Sequence, residues 1–141
     1  MSQTLQTPPN VLNTVDYFRA KLQFEIGPVE LKNLLDAVQT VLVVDVRDRE
    51  AYAKEHIPGA VNLPLPELQR RLGEQPLPKE KTIVTYCYSI TCHLATKAAL
   101  DLAHQDYKVQ ELVGGITEWK KNRFPIEGDD VAARRSEGFF E

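Results

Sequence analysis

Two cysteines, Cys87 and Cys92, flank the short stretch Tyr88-Ser89-Ile90-Thr91, and His93 follows directly. Upstream, the β-branched run Thr82-Ile83-Val84-Thr85-Tyr86 reads as a strand that stops at Cys87. Downstream, Leu94, Ala95, Ala98, Ala99 and Leu102 recur at helical spacing. A thiol between a strand end and a helix start meets backbone N–H groups that converge at the positive end of the helix dipole. That environment depresses a thiol pKa and stabilises a thiolate or persulfide anion. Cys87 is therefore the candidate nucleophile, and Tyr88, Ser89, Ile90, Thr91, Cys92 and His93 form the candidate substrate loop. The competing reading of Cys87 is a small core residue, because free cysteine is among the most buried residue types. Cys92 also has two readings. It is either a redox partner, able to bridge to Cys87 or discharge a persulfide there, or a packing residue in the first helical turn.

Two cysteines are too few for a disulfide framework and lack the His/Cys grouping of a zinc site, so neither a metal nor another cofactor is expected. A chain of 141 residues, 43% of them hydrophobic, suits one compact core. With 17 basic and 20 acidic residues, a net charge of −3 and no long Lys/Arg run, nucleic acid is not an expected partner. The segment Met1-Ser2-Gln3-Thr4-Leu5-Gln6 lacks the basic start and apolar run of a signal peptide, and no stretch approaches a membrane span. A soluble cytoplasmic protein without membrane contact is the expectation.

The elements that must position the cysteines alternate in type. Short apolar runs at Phe24-Ile26, Val41-Val46, Val61-Leu63, Thr82-Tyr86 and Val109-Leu112 predict strands. Helical patterns between them fall at 28–38, 48–54, 66–72, 92–104 and 116–121, the first opened by Pro28. This alternation predicts an α/β fold with a mainly parallel sheet, its centre at the doubly apolar Val41-Leu42-Val43-Val44. Ahead of it, Val11, Leu12, Val15, Phe18 and Leu22 predict a short helix laid on the body, capped by Asn10 or Asn13. The expected divisions are a tail and short helix over 1–23, the domain over 24–127 and a tail over 128–141, although the Phe139-Phe140 pair is apolar enough to dock.

The stretch Asp45-Val46-Arg47 through His56-Ile57-Pro58-Gly59-Ala60-Val61-Asn62-Leu63-Pro64 resembles the first signature of the rhodanese family, which opens D-x-R and closes H-I-x-G-A-x-N-I/L-P. Leu112-Val113-Gly114-Gly115-Ile116-Thr117-Glu118-Trp119 resembles a second signature, and Cys87 falls between the two. The resemblance covers roughly residues 24–127 and implies a rhodanese-like fold, a five-stranded sheet flanked by helices on both faces. It also implies transfer of sulfane sulfur through a Cys87 persulfide, with a small sulfur donor and a thiol or protein acceptor as partners. Asp45, Arg47 and His56 read as structural support rather than reacting groups, Gly59, Gly114 and Gly115 as turn residues, and Trp119 as core.

The family's loop, C-x-x-G-x-R-S/T, is not kept: Ile90 stands at the glycine position and Cys92 at the arginine position. One charge-assisted hydrogen bond to an anionic donor is worth about 1.5–3 kcal/mol, so its loss implies roughly ten- to hundredfold weaker thiosulfate turnover unless His93 or Lys97 substitutes. A phosphatase of the C-x-x-x-x-x-R type is disfavoured, since His93 stands where its arginine would be. Sulfur transfer is thus the first reading. A redox switch using Cys87 and Cys92 and a rhodanese-like binding module without turnover are the alternatives.

Overall fold

In the computed structural model, which describes residues 13–37, 40–74 and 76–136, short strands and helices alternate along the chain. The strands are β1 (Glu25–Ile26), β2 (Val41–Asp45), β3 (Val61–Asn62), β4 (Thr82–Tyr86) and β5 (Val109–Leu112). They form one five-stranded sheet in the order β1-β5-β4-β2-β3. Each neighbouring pair is parallel, so the sheet is parallel throughout rather than mainly so. The helices are α1 (Thr14–Phe24), α2 (Pro28–Ala37), α3 (Arg49–Lys54), α4 (Leu65–Glu74), α5 (Leu94–His104), α6 (Gly115–Lys121) and α7 (Asp129–Ser136).

Strand alternation divides the apolar residues into two cores. Val44 and Ile83 face Leu68 of α4 and Ala95, Ala98 and Leu102 of α5. Val43, Val84 and Tyr86 face the opposite way, against Leu31 of α2 and Ile116 and Trp119 of α6. Helices therefore cover both faces; the central strand is β4, and β2, expected at the centre, lies beside it, paired over five residues. The carboxyl end of β4 opens between these layers, and Cys87 lies there.

Two elements differ from the sequence reading. Helix α1 starts after Asn13, whose Oδ1 accepts from the Asp16 amide at 2.8 Å, and runs through Phe24, which was expected to open the first strand. A cap hydrogen bond from the Glu25 amide to the Lys21 carbonyl extends the helix to that point. It buries none of its residues, and Leu22 is 84% exposed, so the helix touches the body less closely than its periodicity suggests. Val11, Leu12, Asn10 and the rest of the expected N-terminal tail lie outside the described residues. The second difference is α7, within a stretch expected to be a tail. Asp129 and Asp130 sit at its positive end, and Val131 is buried. A single antiparallel bridge, His56 with Glu127, brings it in. Gly128 allows the approach, since a Cβ there would stand 2.5 Å from the Lys54 carbonyl oxygen. Gly138-Phe139-Phe140-Glu141 lie outside the described residues.

Candidate active site

Period-two alternation carries Ile83, Thr85 and Cys87 onto the α5 side of the sheet. Thr85 donates its hydroxyl to the Ala95 carbonyl at 3.0 Å, tying the strand to the first turn of α5. Cys87 is 2% exposed and borders a cavity of about 350 Å³. The loop beyond it closes as a turn, with the Cys92 amide bonded to the Ser89 carbonyl at 3.1 Å and the Ser89 and Thr91 hydroxyls 3.1 Å apart. His93, the N-cap of α5, makes no side-chain cap bond, which leaves the first helical amides to face the cysteine sulfurs. The amides of Tyr88 and Ala95 reach the Cys87 sulfur, and those of Tyr88 and Leu94 reach Cys92.

A second loop holds the first from behind. Ile116 and Thr117 donate their amides to the Cys87 and Tyr88 carbonyls, each at 3.1 Å. The Thr117 hydroxyl adds a bond to the Tyr88 carbonyl at 2.8 Å. Gly115 has φ +57°, and a Cβ there would stand 2.4 Å from the Cys87 carbonyl oxygen. Only glycine permits both that backbone angle and that contact.

The electrostatics reverse one expectation from the sequence. Burial, reinforced by the hydrogen bond with Cys92, pushes the Cys87 thiol up to about 12, and the Ala95 and Tyr88 amides do not overcome it. For the half-buried Cys92, burial acts in the same upward direction, but the hydrogen bond with Cys87 and the amides of Tyr88 and Leu94 outweigh it and lower the thiol. The expectation of a depressed pKa counted the amides but not the desolvation of a residue lying against Val44, Ile83 and Ala98. The first proton therefore leaves from Cys92, and Cys87 keeps the second. Both are free thiols, and Cys87 Sγ also lies 3.5 Å from the Cys92 carbonyl oxygen as a donor.

Of the loop residues read from the sequence, Ser89, Ile90, Cys92 and His93 line the cavity, with Ile90 73% exposed. Thr91 is exposed away from it, and Tyr88 turns to the other side, where its hydroxyl donates to Asp48 at 3.2 Å. Lys97, considered as a replacement cation, is not on the cavity wall; Lys21, Glu25, Thr96 and Glu111 are. The sequence reading missed these four. Glu111 was findable once β5 is set beside β4, since it pairs with Thr85 two residues before the cysteine. Glu25 was findable the same way, since it pairs with Glu111 across β1 and β5, but Lys21 was not, because its place depends on how α1 crosses the end of the sheet.

Asp45 and Arg47 form a buried pair: Arg47 Nε and Nη2 reach the carboxylate at 3.0 and 2.8 Å, and Nη2 also donates to the Glu55 carbonyl at 2.7 Å. Tyr86 donates to the same carboxylate at 2.7 Å, and the guanidinium lies 5.4 Å from the Tyr88 ring centre. His56 donates from Nδ1 to the Tyr52 carbonyl at 2.6 Å and stacks on the Tyr52 ring, away from the cavity. Among the described residues, no group of three or more His, Cys, Asp or Glu could hold a metal ion, and no helix is long and apolar enough to cross a membrane.

The model of the rhodanese-like domain matches residues 27–122. A sulfurtransferase from Allochromatium vinosum is 34% identical over 72% of this chain and 92% of its own length. The thiosulfate sulfurtransferase GlpE of Coxiella burnetii is 35% identical over 57% of this chain and 72% of its own. An HTH-type transcriptional regulator from Mycobacterium tuberculosis is 38% identical over 62% of this chain, which spans 38% of the regulator's length. Among solved structures, a Bacillus halodurans protein is superposable with a TM-score of 0.75 at 37% identity, covering 82% of this chain and 85% of that one. A matching family model over most of the chain, a parallel sheet in the order β1-β5-β4-β2-β3 and a cysteine at the end of its central strand agree, and the chain belongs to the rhodanese-like domain family.

Proposed function

We propose that this chain transfers sulfane sulfur through a persulfide on Cys87. The observation that carries this reading is a cysteine facing a cavity of about 350 Å³, with the Tyr88 and Ala95 amides on its sulfur. An added sulfur extends the side chain by about 2 Å, out of the desolvated floor and into the cavity. The resting Cys87 thiol is poorly ionised, and Cys92, which ionises first, is the adjacent acceptor for its proton. The Cys87 thiolate attacks the outer sulfur of a donor persulfide, a Cys87 S–S bond forms, and the donor's thiolate leaves with the electron pair. An acceptor thiolate then attacks the outer sulfur and Cys87 leaves as its thiolate, with no net oxidation. The relatives named sulfurtransferase, and the Bacillus subtilis relative named a putative sulfur carrier protein, support the reading.

The contact between the two cysteines, with Cys87 Sγ donating to the Cys92 carbonyl at 3.5 Å, favours a second reading, a reversible Cys87–Cys92 disulfide that senses oxidant. Mass spectrometry of the reduced protein separates the two. A gain of one sulfur atom mapped to Cys87 after exposure to a sulfane donor is the expected result. Loss of two hydrogens under mild peroxide, without sulfur loading, favours the switch. Neither change leaves a binding module.

A further inference from the structure

The cavity floor and the cavity wall carry opposite preferences. At the floor, the amides of Tyr88, Leu94 and Ala95 favour one negative charge on sulfur. On the wall, two carboxylates, Glu25 and Glu111, stand with a single ammonium, Lys21. Lys21 is already engaged, reaching both Glu25 carboxylate oxygens at 3.0 and 3.1 Å. The same ammonium also acts on Glu111, so one cation serves two carboxylates and the wall keeps a net negative charge. The Glu111 carboxylate is held in place by the Thr96 hydroxyl at 2.8 Å, in the first turn of α5. The strand register brings it there: Glu111 pairs with Thr85, on the same sheet face as Cys87. Its negative charge also acts on the Cys92 thiol. An anionic donor therefore meets two carboxylates that share one ammonium.

From this we infer that Glu111, positioned by Thr96, selects the sulfur compounds that enter: it repels donors with an anionic group next to the sulfane sulfur and favours donors with an ammonium group there. The substrate class is an aminothiol persulfide rather than thiosulfate. With thiosulfate, Cys87 takes the outer sulfur and sulfite leaves. Before that, however, the sulfonate end must lie against the wall while the outer sulfur occupies the floor. With an aminothiol persulfide, the outer sulfur passes to Cys87, the aminothiolate leaves, and the ammonium faces Glu111 throughout. The assignment deepens the proposed sulfur transfer and rests on it for the identity of the donor.

The test reads charge selectivity first and sulfur transfer second. Methanethiosulfonate reagents bearing an ammonium, no charge or a sulfonate are reacted with the cavity thiols of the full chain, wild type and Glu111→Gln. A unit charge a few ångströms away in a wet cavity changes such a rate about fivefold, so the ammonium-to-sulfonate rate ratio, from which any change in thiol ionisation cancels, should fall about twentyfold in the variant. Raising ionic strength on the wild type should compress the ratio in the same direction, which needs no substitution. A ratio that is indifferent to both salt and Glu111→Gln, or a sulfonate that reacts faster than the ammonium, overturns the assignment. Loading of Cys87 by 2-aminoethyl persulfide and by thiosulfate is then compared, and the variant should gain with thiosulfate and lose with the aminothiol. If neither donor loads Cys87, the sulfur-transfer reading fails while the reagent series still decides the selectivity.

Discussion

The two thiols should differ sharply in reactivity, and the buried one should be the slower. An unperturbed cysteine with a pKa of about 8.5 is roughly 10% thiolate at pH 7.5; at about 12, the fraction for Cys87 is roughly three in 100,000. That difference is about three and a half decades, or about 5 kcal/mol, against forming the anion in place. Cys92 moves the other way, so at neutral pH it should take almost all of an alkylating reagent. The assay is iodoacetamide labelling from about pH 6 to about pH 10, with the two cysteines quantified separately by peptide mass. The Cys87 rate should still be climbing at the top of that range, while the Cys92 rate should level off well below it. In Cys92→Ser, one cause of the Cys87 shift disappears but burial, the larger one, remains, so its midpoint should fall yet stay above about 8.5. A midpoint at or below that value would show that the amides outweigh desolvation, and the reasoning here would be wrong.

Three further outcomes follow from the same geometry. The pair Ile90→Gly with Cys92→Arg restores the cation that the loop lacks, and thiosulfate turnover should rise roughly ten- to hundredfold; a folded double variant without any gain removes the missing arginine as the cause. Asp45→Asn leaves the Arg47 charge buried without its carboxylate, which should cost about 3–5 kcal/mol in urea unfolding, and a loss under about 1 kcal/mol would mean the pair contributes little. Gly115→Ala forces a Cβ to within 2.4 Å of the Cys87 carbonyl oxygen, so unfolding free energy should drop by about 2 kcal/mol or more, with sulfur loading falling alongside. Unchanged loading in a destabilised Gly115→Ala would separate the turn from the site.

The five strands, the limits of β4 and β5, and the cysteine's place between β4 and α5 were legible because local patterns decide them. Val41-Leu42-Val43-Val44 has no polar residue to turn to solvent, and the β-branched run to Tyr86 has one natural end. The ionisation of Cys87 was not legible, because it depends on what α5 presses against the sulfur, and no spacing reports desolvation. Glu111 was partly legible through β5, but the hold of Thr96 on it needs the helix in place. Helix α7 escaped because its anchors, His56 and the Gly128 approach, are distant in sequence and its own apolar content is slight.

The bridge between His56 and Glu127 also has a mechanical meaning. Two hydrogen bonds, at 2.8 and 3.0 Å, form this antiparallel clasp, whereas β2 and β4 are paired along five residues in the interior. A load drawn from the far side of α7 meets the buried Val131 and then this clasp, with its His56 Nε2–Glu127 contact at 3.3 Å, before it reaches the sheet. The first events under tension are therefore release of α7 and then of the segment around Glu127, with the strand that presents Cys87 still fully paired. The clasp acts as a fuse, yielding at low force and sparing the centre from strain transmitted through the C-terminal side.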